Sequence, residues 1–399
     1  MRSQTPNDSH RMPAQKSRGI ALLVMLAFIL VVFTGMAISR LSSSSAEQKS
    51  RERTTQALSH AREAIMAAAL VPNPPGILPC PDGNGDGLAD ILFANVCPNR
   101  RGLVPYKTLG IDQPLDGTGA PIWYVVAPEY SGTALPPSPP HNSSKLILST
   151  HLRLNTSLVA FVLLAPQIPL VGQNRTSKTP LFGAVAQFLE GENANSSFDN
   201  TYTDVISSTQ NDVVLAMPVR GFWTAVEGRV LHDVVALLRD YRNLCGVYPW
   251  PALYSANNNV SDPAMPIATK TYEGRVPFTS ALPFGWGAAC PPNTAPAAPS
   301  GWLQTHWGDS LYYAICKQAP PANPPAAPNA NCLQLGVGTA EAIVMAPGTL
   351  NLSQDRFTPP VVIGDYFEGQ NASPGDNVFT LTKPIGLTDT FNDLIYVIR

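Results

Sequence analysis

Charge is scarce in this sequence. Asp, Glu, Lys and Arg make up 14% of its 399 residues, against roughly 25% in an ordinary soluble domain. With 26 basic and 28 acidic residues the net charge is −2. No basic excess is present to hold a phosphate backbone, so nucleic acid is excluded as a partner. Catalytic signatures are missing too: there is no G-x-S-x-G elbow, no phosphate-binding loop and no H-E-x-x-H. Five of the six histidines, His60, His141, His151, His232 and His306, are scattered through the chain. Only His306, close to Trp307 and Asp309, has suggestive neighbours, and a lone His among aromatics is more often a structural hydrogen-bonder. The chain therefore reads as a non-enzyme. No Cys belongs to a C-x-x-C pair or stands at ligand spacing from a His, which argues against zinc.

Proline and glycine are abundant, at 40 and 29 residues, as expected of a chain rich in loops and turns. The six cysteines, Cys80, Cys97, Cys245, Cys290, Cys316 and Cys332, are an even set. Such a set suggests disulfides, in any of fifteen connectivities. Nearest neighbours would pair Cys80 with Cys97, Cys245 with Cys290 and Cys316 with Cys332, each around a Pro- or Gly-rich loop. Closing a loop of about 15 residues stabilises by roughly 3 kcal/mol in the chain-entropy model.

The longest apolar run lies near the N-terminus. From Ile20 to Ile38 there are 19 residues without a charge, between Arg18 and Arg40. As a helix this run is about 28 Å long, close to the roughly 30 Å hydrocarbon core of a bilayer, so it predicts a transmembrane helix over 20–38 behind a leader at 1–19. Arg2, Arg11, Lys16 and Arg18 against Asp8 keep the leader inside and send the bulk outward, to the side where disulfides form. Three processing routes are compatible with the run: a cleaved signal peptide cut at Gly35-Met36-Ala37, an uncleaved anchor, or a cut ahead of the run between Gly19 and Ile20.

The stretch RG-IALLVML, with an uninterrupted polar helix after it, resembles the N-termini of type IV prepilins and type II secretion pseudopilins. The resemblance implies cleavage after Gly19 by a prepilin peptidase and methylation of Ile20. It also implies assembly with other pilins or pseudopilins through the N-terminal helix, and a bacterial inner-membrane location with a periplasmic C-terminal region. One position departs from the pattern. Most of the family has Glu at mature position five, where its carboxylate answers a neighbour's free amine; this chain has Val24. An uncompensated buried amine is costly, so the subunit resembles the minor members found at a filament tip or in assembly initiation.

After the apolar run, Gln48–Leu70 reads as helix, with Leu58, Ala61, Ile65 and Ala68 as its apolar stripe. Pro72, Pro74, Pro75 and Gly76 end it. In the segment PDGNGDGLAD that follows, Asp82, Asn84 and Asp86 alternate ahead of Gly87, and Asp90 offers another oxygen. This is the first half of a calcium loop, although the twelfth position, normally Glu, is Phe93. The other reading is a turn-rich loop whose side chains cap their own backbone.

An internal repeat organises the remainder. VAFVLLAP at 159–166 is echoed by AEAIVMAP at 340–347, FLEGENA at 188–194 by YFEGQNA at 366–372, and TQNDVVLAMPVR at 209–220 by TFNDLIYVIR at 390–399. The three matches are collinear, 178 to 181 positions apart. Further back, GILPCP pairs with GVYPWP, RRGLVPYKTLG with EGRVPFTSALP, APIWYVV with WGDSLYYAI, and the helix before Pro72 with one over Val226–Tyr241. The fold class expected is α+β: a long N-terminal transmembrane helix, then two tandem pilin-like heads, each a helix packed on an antiparallel sheet. The heads span 39–220 and 221–399. Strand candidates in the first are Ala120–Pro128, Leu146–Thr150 and Leu158–Leu164.

Copy two has YSANNNVSD at 254–262 in place of the Asp-Gly loop. The EGxNA loops offer Glu190, Glu192 and Asp199 against Glu368 and Asp376 as a second calcium arrangement, or are β-turns in which Gly and Asn supply positive φ. The Pro/Ala-rich insertions at 291–300 and 319–330 are exposed spacers or partner-binding surfaces. Trp250, Trp286, Trp302 and Trp307 pack in the core or present aromatic faces. The function expected is a minor pilin-like subunit of a type II secretion or type IV pilus-like system. The alternative is a membrane-anchored or secreted, calcium-dependent binding protein outside any filament.

Overall fold

The computed structural model describes residues 17–90, 97–131, 141–146, 152–175, 182–195, 200–252, 272–278, 299–316, 332–336, 338–350, 354–356, 362–373, 375, 377–381 and 391–398. Helix α1 runs unbroken over Ser17–Leu70. Its C-terminal half buries Thr54, Leu58, Ala61, Ile65 and Ala69, a stripe advancing by four, three, four and four residues. The last contact is Ala69, one residue beyond the Ala68 expected. The helix stops where three prolines follow within five residues, and Gly76, at φ +99°, turns its N–H back to the Ala69 carbonyl.

The transmembrane half of this helix is corrected. Among the described residues no helix is long and apolar enough to cross a membrane. The single-pass inner-membrane location rested on that span and is corrected with it.

The first sheet is antiparallel, in the order β1 (Arg101–Leu103), β2 (Trp123–Val126), β4 (Ser157–Ala165), β6 (Val213–Pro218). Strand β3 (Arg153–Leu154) pairs with the start of β4, and β5 (Thr201–Tyr202) runs parallel to β3. Between β1 and β2 lies the one-turn helix α2 (Tyr106–Leu109). A second turn, α3 (Ser143–Leu146), stands where a strand was expected from Leu146; the rest of that stretch lies outside the described residues.

The second sheet repeats the order: β7 (Glu273–Arg275), β8 (Tyr312–Ile315), β11 (Ala342–Ala346), β13 (Leu394–Ile398). Strand β9 (Leu333–Leu335) pairs with β10 (Gly338–Ala340) and runs parallel to β12 (Val378–Phe379), matching β3 and β5. Equivalent backbone approaches recur. Tyr124 donates its hydroxyl to the Pro79 carbonyl at 3.1 Å, and Tyr313 to that of Pro249 at 3.2 Å. Gly102 and Gly274 leave no room for a Cβ, which would strike the carbonyl oxygens of Asp82 and Ala252.

Helix α4 (Val219–Cys245) starts directly after β6, so the inferred boundary near Gly221 falls in its first turn. It packs on β11 and β13 and also touches α1, β4 and β6. Its buried positions, among them Phe222, Trp223, Val226, Val230, Leu231, Val234, Leu238 and Tyr241, make a stripe wide enough to face both heads. One continuous core therefore joins Leu58 and Ile65 of α1 to Val344 and Ile398 of the second sheet. In that sheet alternate residues face opposite ways. Tyr313, Val344 and Ala346 enter the common core, while Tyr312, Ile343 and Met345 build a second cluster with Leu335, Phe367 and Phe379. Trp223 bridges the heads by edge-on contacts to Tyr130 at 5.5 Å and Trp307 at 6.3 Å.

Candidate functional site

The N-terminal part of α1 stands free of the heads. Its described large apolar side chains, from Leu23 at 71% exposed to Val32 at 40%, all face outward. They cover every side of the helix, and an all-round apolar helix has no stable solvated face. Val24, the position of the missing Glu, is 63% exposed. Gly19 and Ile20 lie in the first turn of the helical backbone. Contact with the first head includes Ser50, whose backbone carbonyl a Cβ on Gly117 would strike, and Thr54, whose hydroxyl accepts the Gly117 N–H at 2.9 Å. Beside it opens a cavity of about 440 Å³ lined by Glu47, Ser50, Arg51, Ile168 and Ile206, among others.

The Asp-Gly loop is closed by its own side chains. Asp82 accepts the Gly85 N–H at 2.6 Å and the Gly87 N–H at 2.7 Å. Asn84 accepts the Asp86 N–H, and Asp86 that of Leu88, both at 2.8 Å. Asp90 accepts the Gly83 N–H at 2.9 Å. Gly85 and Gly87 take φ of +81° and +86°, which the turns require. Burial pushes the Asp82 carboxyl up, against the pull of the Gly87 and Gly85 N–H groups. The calcium expectation at Asp82, Asn84, Asp86 and Asp90 is corrected accordingly. Among the described residues no group of three or more His, Cys, Asp or Glu side chains is placed to hold a metal, and these oxygens accept the loop's own backbone N–H groups. Phe93, the copy-two loop at 254–262, Asp199 and Asp376 lie outside the described residues.

A disulfide joins Cys80 to Cys97, with Cα atoms 5.3 Å apart, and another joins Cys316 to Cys332 at 5.4 Å. Cys245 is also disulfide-bonded, and its expected partner Cys290 lies outside the described residues. Such bonds persist in oxidising compartments.

The EGxNA motifs and the two Asn-Asp pairs converge on one buried network per head. In the first, Asp212 Oδ2 accepts the Glu190 N–H at 3.2 Å and Asn193 Nδ2 at 3.1 Å. Glu190 accepts the Asn211 N–H at 3.1 Å and Gln173 Nε2 at 2.8 Å. Arg175 donates to the carbonyls of Pro166, Gln167, Gln187 and Phe188 and lies 3.7 Å from Glu190. The second head repeats this bond for bond. Asp393 accepts from Glu368 N and Asn371 Nδ2, Glu368 accepts from Asn392 N and Gln354 Nε2, and Arg356 donates to the carbonyls of Pro347, Gly348, Asp365 and Tyr366. The motif loops are 3-10 turns with Gly191 and Gly369 at φ +50° and +54°. Sequence reasoning missed the Gln-x-Arg pairs, Gln173/Arg175 and Gln354/Arg356. They were legible by extending the repeat upstream of EGxNA.

His306 has a structural role at the junction. Its Nδ1 accepts the His141 N–H at 3.0 Å and its carbonyl accepts Asn142 Nδ2 at 2.5 Å. His141 donates Nε2–H to the Gly76 carbonyl at 2.9 Å, and burial lowers its pKa to about 4. Ser143 donates to Glu227, which burial raises to about 7. Trp250 and Trp307 are fully buried and Trp302 packs against the core; Trp286 lies outside the described residues. Comparison with family models, with curated proteins and with solved structures finds no match for the chain.

Proposed function

We propose that the chain is a minor pilin-like or pseudopilin-like subunit of a type II secretion or type IV pilus-like system. It joins other such subunits through the N-terminal half of α1, at an end of the assembly rather than in its repeating body. The observation that carries this reading is the run of nine large apolar side chains exposed between Leu23 and Val32. A helix apolar on all sides calls for several surrounding helices rather than one partner. Burying nine such groups offers on the order of 10–20 kcal/mol gross, enough to meet the roughly 4–15 kcal/mol cost of association. Val24 supplies no carboxylate for a neighbour's amine, and a double head is bulky for a tightly repeating body. Both features favour an end position.

Prepilin peptidase is the processing partner in this reading, cutting between Gly19 and Ile20. Mass spectrometry of the mature N-terminus, on protein from the native host, tests it. The expected species begins with N-methylated Ile20. A chain beginning at Met1 or at Ile38 overturns the assignment and leaves a binding protein outside any filament.

A further inference from the structure

The two heads share one plan, and in one of them the angle between helix and sheet is occupied. In the second head, α4 packs on β11 and β13, and the angle between α4 and the turn after β11 is closed by consecutive residues of the first head. The His141 N–H donates to His306 Nδ1 at 3.0 Å, and Asn142 Nδ2 to the His306 carbonyl at 2.5 Å. Ser143 donates to Glu227 of α4 at 2.5 Å, and Ser144 accepts Arg356 Nη1 at 2.9 Å. The same Nη1 reaches the Gly348 carbonyl at 2.9 Å, so Ser144 lies over the turn at Gly348 and Thr349. Both turn residues are buried.

The first head builds the same angle and leaves it open. Helix α1 packs on β4 and β6 as α4 does on β11 and β13. The turn after β4, Pro166–Ile168, precedes Pro347–Thr349 by 181 positions. Asn211 Nδ2 donates to the Ile168 carbonyl at 2.7 Å, the bond that Asn392 makes to Thr349 at 2.6 Å. Arg175 Nη1 reaches the Gln167 carbonyl as Arg356 Nη1 reaches that of Gly348. Yet Thr349 is 3% exposed and its counterpart Ile168 is 68% exposed. The space beside Ile168 is the cavity of about 440 Å³, and Ile206, which also lines it, is 67% exposed.

We propose that this open angle receives the head of a different subunit, entering by the connection between its second and third strands, as the first head enters the second. The inference rests on the pilin-like reading above. Two arguments exclude a second copy of this chain. Its first head has no turn to offer, because Ser143 and Ser144 are already buried in its own junction. Entry by its second head would propagate an open head-to-tail chain, whereas Val24 marks an end subunit.

The groove also limits what the entering turn carries. Among the described lining residues the charged ones, Glu47 and Arg51, pair with each other at 2.6 Å, so no net charge is presented. The Thr54 hydroxyl donates to the Ser50 carbonyl at 3.1 Å and accepts the Gly117 N–H, so it needs no partner such as Ser143 gives Glu227. The turn that fits is uncharged, with apolar side chains to cover Ile168 and Ile206. Glu47 lies about 22 Å beyond Val32 along the same helix, so one neighbour packs on the apolar run and on the groove together.

The test uses the full chain in its native host, with a benzophenone amino acid at Ile168 or, as a control, at exposed Val362 of the second head. Irradiation should join Ile168 to one other polypeptide that has its own basic leader and apolar N-terminal run. Mass spectrometry should place the link in the connection between that protein's second and third strands. Adding Ile206→Glu should cut the product about tenfold or more, because docking would bury an unpaired carboxylate. No product above the Val362 control, a product with a second copy, or links spread over unrelated proteins overturns the proposal. The mature N-terminus is read from the same sample. A processed Ile20 without the Ile168 product removes the groove assignment alone, while a start at Met1 or Ile38 removes the filament reading on which it rests.

Discussion

Replacing Arg356 by Met should damage this protein more than replacing Arg175, its counterpart in the first head. Arg356 is 0% exposed, and among the described residues six of its hydrogen bonds are resolved. Four of these satisfy carbonyls, one goes to Gln354 Oε1 and one to the Ser144 hydroxyl in α3 of the first head. Its guanidinium lies 5.3 Å from the Tyr366 ring centre and faces Glu227 and Glu368. Methionine fills the space but leaves those acceptors without donors and the acidic groups without a cation. Removing one member of a buried ion network costs about 3–5 kcal/mol, and each orphaned acceptor about 1–3 kcal/mol before relaxation. A net loss of about 4 kcal/mol is therefore expected for Arg356→Met. Lysine should not rescue it, since one ammonium cannot replace the planar fork. Arg175 makes comparable bonds, and among the described residues none to the other head, so Arg175→Met should cost about 2 kcal/mol. Urea unfolding followed by tryptophan fluorescence measures both, Trp223 and Trp307 reporting on the junction. An Arg356→Met loss no larger than that of Arg175→Met would refute the claim that Arg356 ties the heads together.

Three further outcomes are expected. Replacing either Cys80–Cys97 or Cys316–Cys332 by a Ser pair should cost roughly 3 kcal/mol for loops of 17 and 16 residues, read as a drop in melting temperature without reductant. Asp82→Ala frees the Gly85 and Gly87 N–H groups and should cost about 1–3 kcal/mol; melts with calcium or with a chelator should coincide for both proteins. His141 sits below its unfolded pKa, so its contribution is present above the unfolded value near 6.5 and lost as pH falls toward about 4. Wild-type stability should therefore fall on that side by up to about 3 kcal/mol, and His141→Gln should flatten the acid limb of a stability profile.

The repeat was legible because its motifs are of two kinds that sequence displays directly: apolar strands such as VAFVLLAP and turns that need Gly or Asn. The same is true of the packing stripe on α1, whose three- and four-residue steps follow from helix geometry. The Asp-Gly loop was harder. Alternating oxygens suit both a cation and a chain of Asx turns, and the two differ only in where the side chains point. The N-terminal run was read as a membrane span from its composition and length, whereas among the described residues no helix is long and apolar enough to cross a membrane.

Sequence by itself placed the second helix over 226–241, short of its observed Val219–Cys245 at both ends; it displayed the collinear repeated motifs, the end of α1 at Leu70, and which segment of α1 is apolar on every side. These follow from local rules of period, propensity and turn stereochemistry. Only the tertiary structure decided that the heads share one core across α4 and that Gln-x-Arg, EGxNA and Asn-Asp close into a buried network. Those depend on groups between about 10 and more than 200 positions apart in the chain, as with Ser144 and Arg356, and no local rule brings such groups into contact. Their cost or benefit is set by burial, which exists only once the sheets and helices have packed.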